Sequence, residues 1–224
     1  MSDDNNSELG VISTLLESFE IFKKMFPTFL LAYLVFLLSL GLLSGFAGEG
    51  DTQSLSSSVT ILIILFALSA VLSGTLTAAT WSYMNGQQNP IRAGVTRCLE
   101  VITSVVGASF LSALFVFGGL ILLVVPGIIA AMTLIVVMPV VIIENPGIVD
   151  SLKRSYALTD GHRMQIFMLI LVLVIPTIFS IKIGGLVGIE IGQFIGQVLQ
   201  GLITIFNTIM YVVIYKRLIN ISAH

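Results

Sequence analysis

Residues 101–143 read VITSVVGASFLSALFVFGGLILLVVPGIIAAMTLIVVMPVVII and contain no Asp, Glu, Lys or Arg. A helix crosses a hydrocarbon layer of roughly 30 Å with about 20 predominantly apolar residues, so this run has room for two crossings. Pro126 and Gly127 near its centre mark a tight turn. The run therefore reads as a hairpin of membrane spans, Val101 to Val125 and Gly127 to Ile143. Further charge-free windows run from about Phe29 to Gly45 and from Val59 to Thr80, another begins at Ile166, and a last one ends near Tyr215. The window that begins at Ile166 is expected to continue to about Val187, with Lys182 snorkelling outward. The expected fold is an all-α polytopic membrane protein with six transmembrane helices and short amphipathic cytoplasmic helices. Residues 1–224 form one membrane domain in this reading, with a cytoplasmic tail and amphipathic helix over 1–26 and the six-span bundle over 27–217.

Composition points the same way. Of 224 residues, 56% are apolar and only 10% are charged, and the mean hydropathy is +1.06. That is too little charge to solvate the outside of a globule, so most of the outer surface must face lipid. A net charge of -2 offers no basic excess for nucleic acid. The single cysteine, Cys98, excludes an intramolecular disulfide framework, and on an interfacial helix it reads as a small packing residue. His162 and His224 form no cluster with metal-ligand spacing. A Ser-His-Asp arrangement would have to use His162 beside Asp160 at the membrane surface, with no nucleophile elbow. Neither enzymatic activity nor a cofactor is expected.

Lys and Arg near span ends stay cytoplasmic. Lys23, Lys24, Arg92, Arg97, Lys153, Arg154, Arg163, Lys216 and Arg217 all fall on one side of the six-span layout, and Lys182 alone falls on the other. Both termini are thus expected in the cytoplasm. Asp3, Asp4 and Glu8 open the chain and the first apolar run starts late, so no cleaved signal peptide is expected.

Before the first span, Ile12, Leu15, Leu16, Phe19, Phe22 and Phe26 recur at helical spacing while Glu17, Glu20, Lys23 and Lys24 fall elsewhere on the wheel. Comparable segments before the third and fifth spans open with Asn89-Pro90 and Asn145-Pro146, an N-cap residue followed by a first-turn residue. The second of them should stop at Thr159-Asp160-Gly161, with Gly161 in the left-handed cap. All three are expected to lie in the headgroup region, with Trp81, Tyr83 and Tyr156 near the interface. Three units of cytoplasmic helix, span and return span suggest parallel repeats about an axis along the membrane normal, against the plainer alternative of unrelated amphipathic loops.

The stretch Val124 to Arg163, VVPGIIAAMTLIVVMPVVIIENPGIVDSLKRSYALTDGHR, resembles the YciC-like bacterial inner-membrane proteins and the membrane domain of glycerophosphodiester phosphodiesterases. The positions that carry the resemblance are Pro126, Gly127, Pro139, Glu144, Ser151, Leu152, Arg154, Ser155, Leu158 and Gly161. It implies a multi-pass protein of the bacterial inner membrane. Phosphodiesterases of this kind add a soluble catalytic barrel, and with His224 just after the last span no such activity is expected here. Glu144 is close in sequence to Lys153 and Arg154, which favours an ion pair orienting the intervening helix over a ligand site.

Two patterns mark the last hairpin. Gly184, Gly188, Gly192 and Gly196 recur every fourth residue, a spacing that lets helices approach closely, within the bundle or between two copies in a homo-oligomer. Gln193, Gln197, Gln200, Thr204, Asn207 and Tyr211 fall within roughly a 100° arc of the last span. Such a stripe cannot face lipid cheaply. It serves either as interhelical hydrogen bonding or as a polar path for a headgroup or small solute. The leading functional expectation is a role in envelope or membrane-lipid homeostasis, with the bilayer and a bound phospholipid as partners. A transporter or channel for a small polar or lipid-like substrate is the second, and an accessory subunit of a membrane complex the third. No particular protein partner is indicated.

Overall fold

The computed structural model describes residues 9–47, 55–186 and 189–222, and all regular structure among them is helical. In chain order the helices are α1 (Val11–Ala47), α2 (Leu55–Met84), α3 (Pro90–Glu100), α4 (Ile102–Leu122), α5 (Val124–Thr133), α6 (Val137–Ile143), α7 (Ile148–Thr159), α8 (Arg163–Leu186) and α9 (Ile189–Ser222). Among the described residues, five segments are long and apolar enough to cross a membrane: Val59–Met84, Ile102–Leu122, Val124–Ile143, Arg163–Ser180 and Ile195–Ser222. They make the chain a multi-pass membrane protein. The span expected from Phe29 to Gly45 falls on α1, and most of its side chains lie outside the described residues. No break separates the expected tail from that span, since α1 runs unbroken through Pro27.

The hairpin of α4 and α5 forms, but its turn differs from expectation. The single extended residue is Leu123, at φ -162 and ψ 144, and Pro126 and Gly127 belong to the first turns of α5. Proline lacks the N–H that a continuing helix needs, and its ring clashes with the carbonyl four residues earlier. For Pro126 that residue is Leu122, where α4 stops. Gly127 then lets the two helices touch, because a Cβ on Gly119 would lie 2.9 Å from the Gly127 Cα.

The fourth expected span is two helices rather than one. It breaks at Leu134–Val136, between α5 and α6. Pro139 supplies the reason: its missing N–H would face the carbonyl of Ile135, inside the break. The helix after Asn145-Pro146 also starts later than expected. Asn145 takes a left-handed φ of 48, Gly147 caps α7 at φ 103 and ψ 172, and α7 begins at Ile148. Glycine alone enters that last backbone region readily. Asn89-Pro90 does open α3, with Pro90 in its first turn, and Gly161 takes φ 80 beyond the end of α7.

Each amphipathic helix turns small residues inward and leaves part of its apolar stripe exposed. In α1 Thr14, Ser18, Ile21, Met25, Phe29 and Tyr33 are buried, whereas Ile12, Leu16 and Phe19 are exposed. In α3 Gly94 and Cys98 are buried and Val95 and Leu99 exposed; in α7 Ser151 and Ser155 are buried together with Leu152 and Leu158, and Val149 and Tyr156 are exposed. Apolar side chains gain little by leaving lipid, so small residues that allow close packing turn inward. α3 packs antiparallel along α2: Gly94 lies against Thr75 and Ala79, and Cys98 against Val71 and Gly74.

Gly94 shows how tight that contact is, because a Cβ there would meet the backbone N of Ala79 at 2.7 Å and the carbonyl oxygen of Thr75 at 2.8 Å. Gly94→Leu should lower the stability of the detergent-solubilised protein by about 1–3 kcal/mol through overpacking. Gly118, where an added Cβ would have no neighbour within 4 Å, should accept Ala unchanged. Thermal unfolding of both variants checks this, and equal melting temperatures would contradict it.

Candidate functional site

The resemblance positions converge on the broken span. Because the N–H of Val137 turns back to the carbonyl of Leu134, at 3.1 Å, the carbonyl of Thr133 loses the partner that a continuous helix would give it. The buried hydroxyl of Ser155, on α7, donates to that carbonyl at 2.7 Å. Ser151, one turn earlier, donates to the carbonyl of Gly147 at 2.6 Å and so acts within its own helix. Pro139 is buried in α6, and Gly161 closes α7. At the end of α6, Pro146 removes the N–H that would have met the carbonyl of Ile142, and Arg97 Nε of α3 donates there at 2.8 Å.

Glu144 lies at the same end of the bundle. Arg154 Nε is 3.1 Å from Glu144 Oε2, and the Tyr215 hydroxyl of α9 donates to Glu144 Oε1 at 2.9 Å. Lys153 pairs with Asp150 instead, at 3.1 Å. A third arginine, Arg217, makes a two-pronged contact with Glu17 Oε2, from Nε at 3.1 Å and Nη2 at 2.8 Å, and its Nη1 donates to Ser13 at 2.6 Å. Each amphipathic helix is thus fastened through an arginine. Burial pushes the Cys98 thiol above its ordinary pKa, with a smaller downward pull from a hydrogen bond with Thr75, which leaves it mostly protonated at neutral pH.

Deeper in the bundle lies a cavity of about 530 Å³ bounded by α2, α4, α5, α6, α8 and α9. Ser73 and Thr77 of α2, Ser109 and Ser112 of α4, and Thr204, Asn207, Thr208 and Tyr211 of α9 give it polar walls. Leu134, Ile135, Val137 and Met138, around the break, give it an apolar one. Phe117 is 65% exposed and also lines the cavity, so it stands at an opening. The buried atoms Ser112 Oγ and Asn207 Oδ1 have no hydrogen-bond partner among the described residues. Each such atom costs about 1–3 kcal/mol while it stays unpaired.

The polar stripe of α9 divides between two tasks. Gln200 Oε1 accepts a hydrogen bond from Ser180 of α8 at 3.0 Å, which is helix packing. Thr204, Asn207 and Tyr211 line the cavity. Gln197 is exposed, and its carbonyl accepts from the Tyr33 hydroxyl at 3.1 Å; the side chain of Gln193 lies outside the described residues. Of the glycine ladder, Gly188 lies outside the described residues, Gly184 is in α8, Gly192 is buried in α9, and Gly196 is half-buried. Gly201, which carries no such periodic signal, sits against the ring of Tyr33 with no room for a Cβ. Among the described residues, no three His, Cys, Asp or Glu side chains gather as a metal site.

This is the interior of an integral membrane protein, and the described residues include an open cavity with polar walls and no charged side chain. No family model, curated protein or solved structure matches the chain.

Ser155 and Ser151 provide a test of the repair at the break. Ser155→Ala removes the short donor of the Thr133 carbonyl, leaving it only the Thr159 hydroxyl at 3.5 Å, and should cost about 1–3 kcal/mol. Ser151→Ala should cost less than about 1 kcal/mol, because the Gly147 carbonyl keeps the N–H of Ser151 at 3.0 Å. Chemical or thermal unfolding in detergent distinguishes them, and a larger loss for Ser151→Ala would refute the assignment.

Proposed function

We propose that this membrane protein binds a small polar or lipid-like molecule inside its bundle and moves or presents it without catalysing a reaction. The supporting observation is the pair of buried, unpartnered atoms Ser112 Oγ and Asn207 Oδ1 in the walls of one open cavity. A fold that only needed packing would place apolar atoms there, since replacing both partners of a lost hydrogen bond by apolar groups is nearly neutral. A lipid-like occupant links the cavity to the role in membrane-lipid or envelope homeostasis, in a bacterial inner membrane, to which the sequence resemblance points. The common arginine fastening and inward small residues of α1, α3 and α7 support the reading of three repeated units.

The six-span layout with both termini in the cytoplasm belongs to the same proposal, supported by nine of the ten basic residues on one side. Reporter fusions at each terminus should both report a cytoplasmic location, and a periplasmic signal from either would overturn it. The cavity itself is tested by Gln200→Leu beside Asn207→Leu. Gln200→Leu breaks the bond to Ser180 and should lower stability by around 0.6 kcal/mol. Asn207→Leu removes an unpaired atom, so it should leave the melting temperature unchanged or raised while abolishing the phenotype restored by the native gene in deletion cells. Full complementation by Asn207→Leu would sink the binding reading.

A further inference from the structure

The chemistry of the cavity walls restricts what can occupy it. Thr77 donates its hydroxyl proton to the carbonyl of Ser73 at 2.7 Å, Ser109 to Val105 at 2.7 Å, Thr204 to Gln200 at 2.8 Å, and Thr208 to Thr204 at 2.9 Å. Four hydroxyl donors are therefore spent on backbone within their own helices, whereas the oxygen of each retains acceptor capacity. Asn207 Oδ1, an acceptor only, is buried and unpartnered in the same walls. Acceptor capacity therefore remains at each of these positions on α2, α4 and α9, while the unpartnered Ser112 hydroxyl can donate or accept.

No Asp, Glu, Lys or Arg lines the cavity, so a charge placed in it would have no counter-charge at hand. Neutral oxygens can hold a cation where they surround it. Here the wall formed by Leu134, Ile135, Val137 and Met138 offers only apolar side chains, so oxygen ligands reach an occupant from part of its circumference. That wall instead suits a hydrocarbon surface.

We infer that the occupant is an uncharged amphipathic molecule whose hydroxyl or amide N–H donates into the Asn207 and Ser112 side of the cavity while its apolar body lies against the α5–α6 break. This rests on the binding reading above and specifies its ligand class. An alcohol-bearing lipid fragment has this chemistry; a phosphate, a carboxylate or a metal ion does not.

Three aliphatic photoprobes of equal chain length, each carrying a diazirine, test it on the full-length protein in lipid nanodiscs: a primary alcohol, its O-methyl ether and the matching ammonium. After irradiation, labelled residues are located by mass spectrometry. The alcohol should label cavity residues such as Phe117 and Met138 roughly fivefold more than the ether, the factor that one net hydrogen bond supplies. The ratio should fall to about one in Asn207→Leu, and Ser112→Ala, a smaller change, should reduce it in a protein of unaltered melting temperature. Equal labelling by alcohol and ether, or preference for the ammonium, would overturn the ligand class and leave the binding reading standing. Failure of all three probes to label the cavity, with lipid-facing Phe110 or Phe179 labelled as usual, would overturn both.

Discussion

A helix that crosses a bilayer must satisfy its backbone hydrogen bonds within the protein, and this chain interrupts one of its crossings at Leu134–Val136. Pro139 causes the interruption and Pro146 ends the segment, and each withholds an N–H from a carbonyl four residues earlier. The fold supplies replacements from elsewhere. Arg97 reaches the Ile142 carbonyl that Pro146 leaves, and Ser155 reaches that of Thr133, left when the Val137 N–H turns back to Leu134 at the break, so α7 and α3 are fixed by the span that needs them. Glu144, at the end of that span, then gathers Arg154 from α7 and Tyr215 from α9. Two defects in the ladder of one span, with Glu144 at its end, thereby join four separate parts of the chain.

Lipid on the outside explains why part of each apolar stripe stays exposed. In water, Ile12, Leu16 and Phe19 would turn toward a core; here they are exposed and Thr14 and Ser18 are buried. The hydroxyls of these two donate to carbonyls one turn back, Thr14 to Gly10 at 2.7 Å and Ser18 to Thr14 at 2.7 Å, so their burial leaves no hydroxyl proton unpaired. Small, internally satisfied polar residues thus do the close packing that Gly and Ala do on α2 and α3.

Much of this was legible in the sequence. The charge-free run from 101 to 143 fixes a helical hairpin, and the Asn89-Pro90 start and the Gly161 cap follow from local backbone preferences. Pro139 was equally visible and would have located the break, had its position four residues after Ile135 been weighed above the unbroken hydropathy around it. Which apolar residues of α1 and α7 stay exposed was not legible, because periodicity identifies an apolar stripe and not the medium it meets; Leu152 and Leu158 face inward while Ile12, Leu16 and Val149 do not. The cavity was not legible either. Ser73, Ser112 and Thr208 are far apart in sequence, and only the packing of α2, α4 and α9 brings them to one space. The α9 stripe was apparent, but its division between Gln200 and Asn207 depends on where Ser180 of α8 ends up.

The break and the cavity are two consequences of one choice. A continuous helix from Val124 to Ile143 would present regular ridges to α4 and α9, and ridges seat into grooves with little space between. Ending α5 at Thr133 and restarting at Val137 offsets the two halves, and Leu134, Ile135 and Val137 are the residues that then form the cavity's apolar wall. The same offset frees the Thr133 carbonyl that anchors Ser155. The α5–α6 junction therefore carries the cavity on one flank and the α7 anchor on another. A change in the conformation of this junction must alter both, because the carbonyl that Ser155 holds belongs to the residue immediately before the cavity wall.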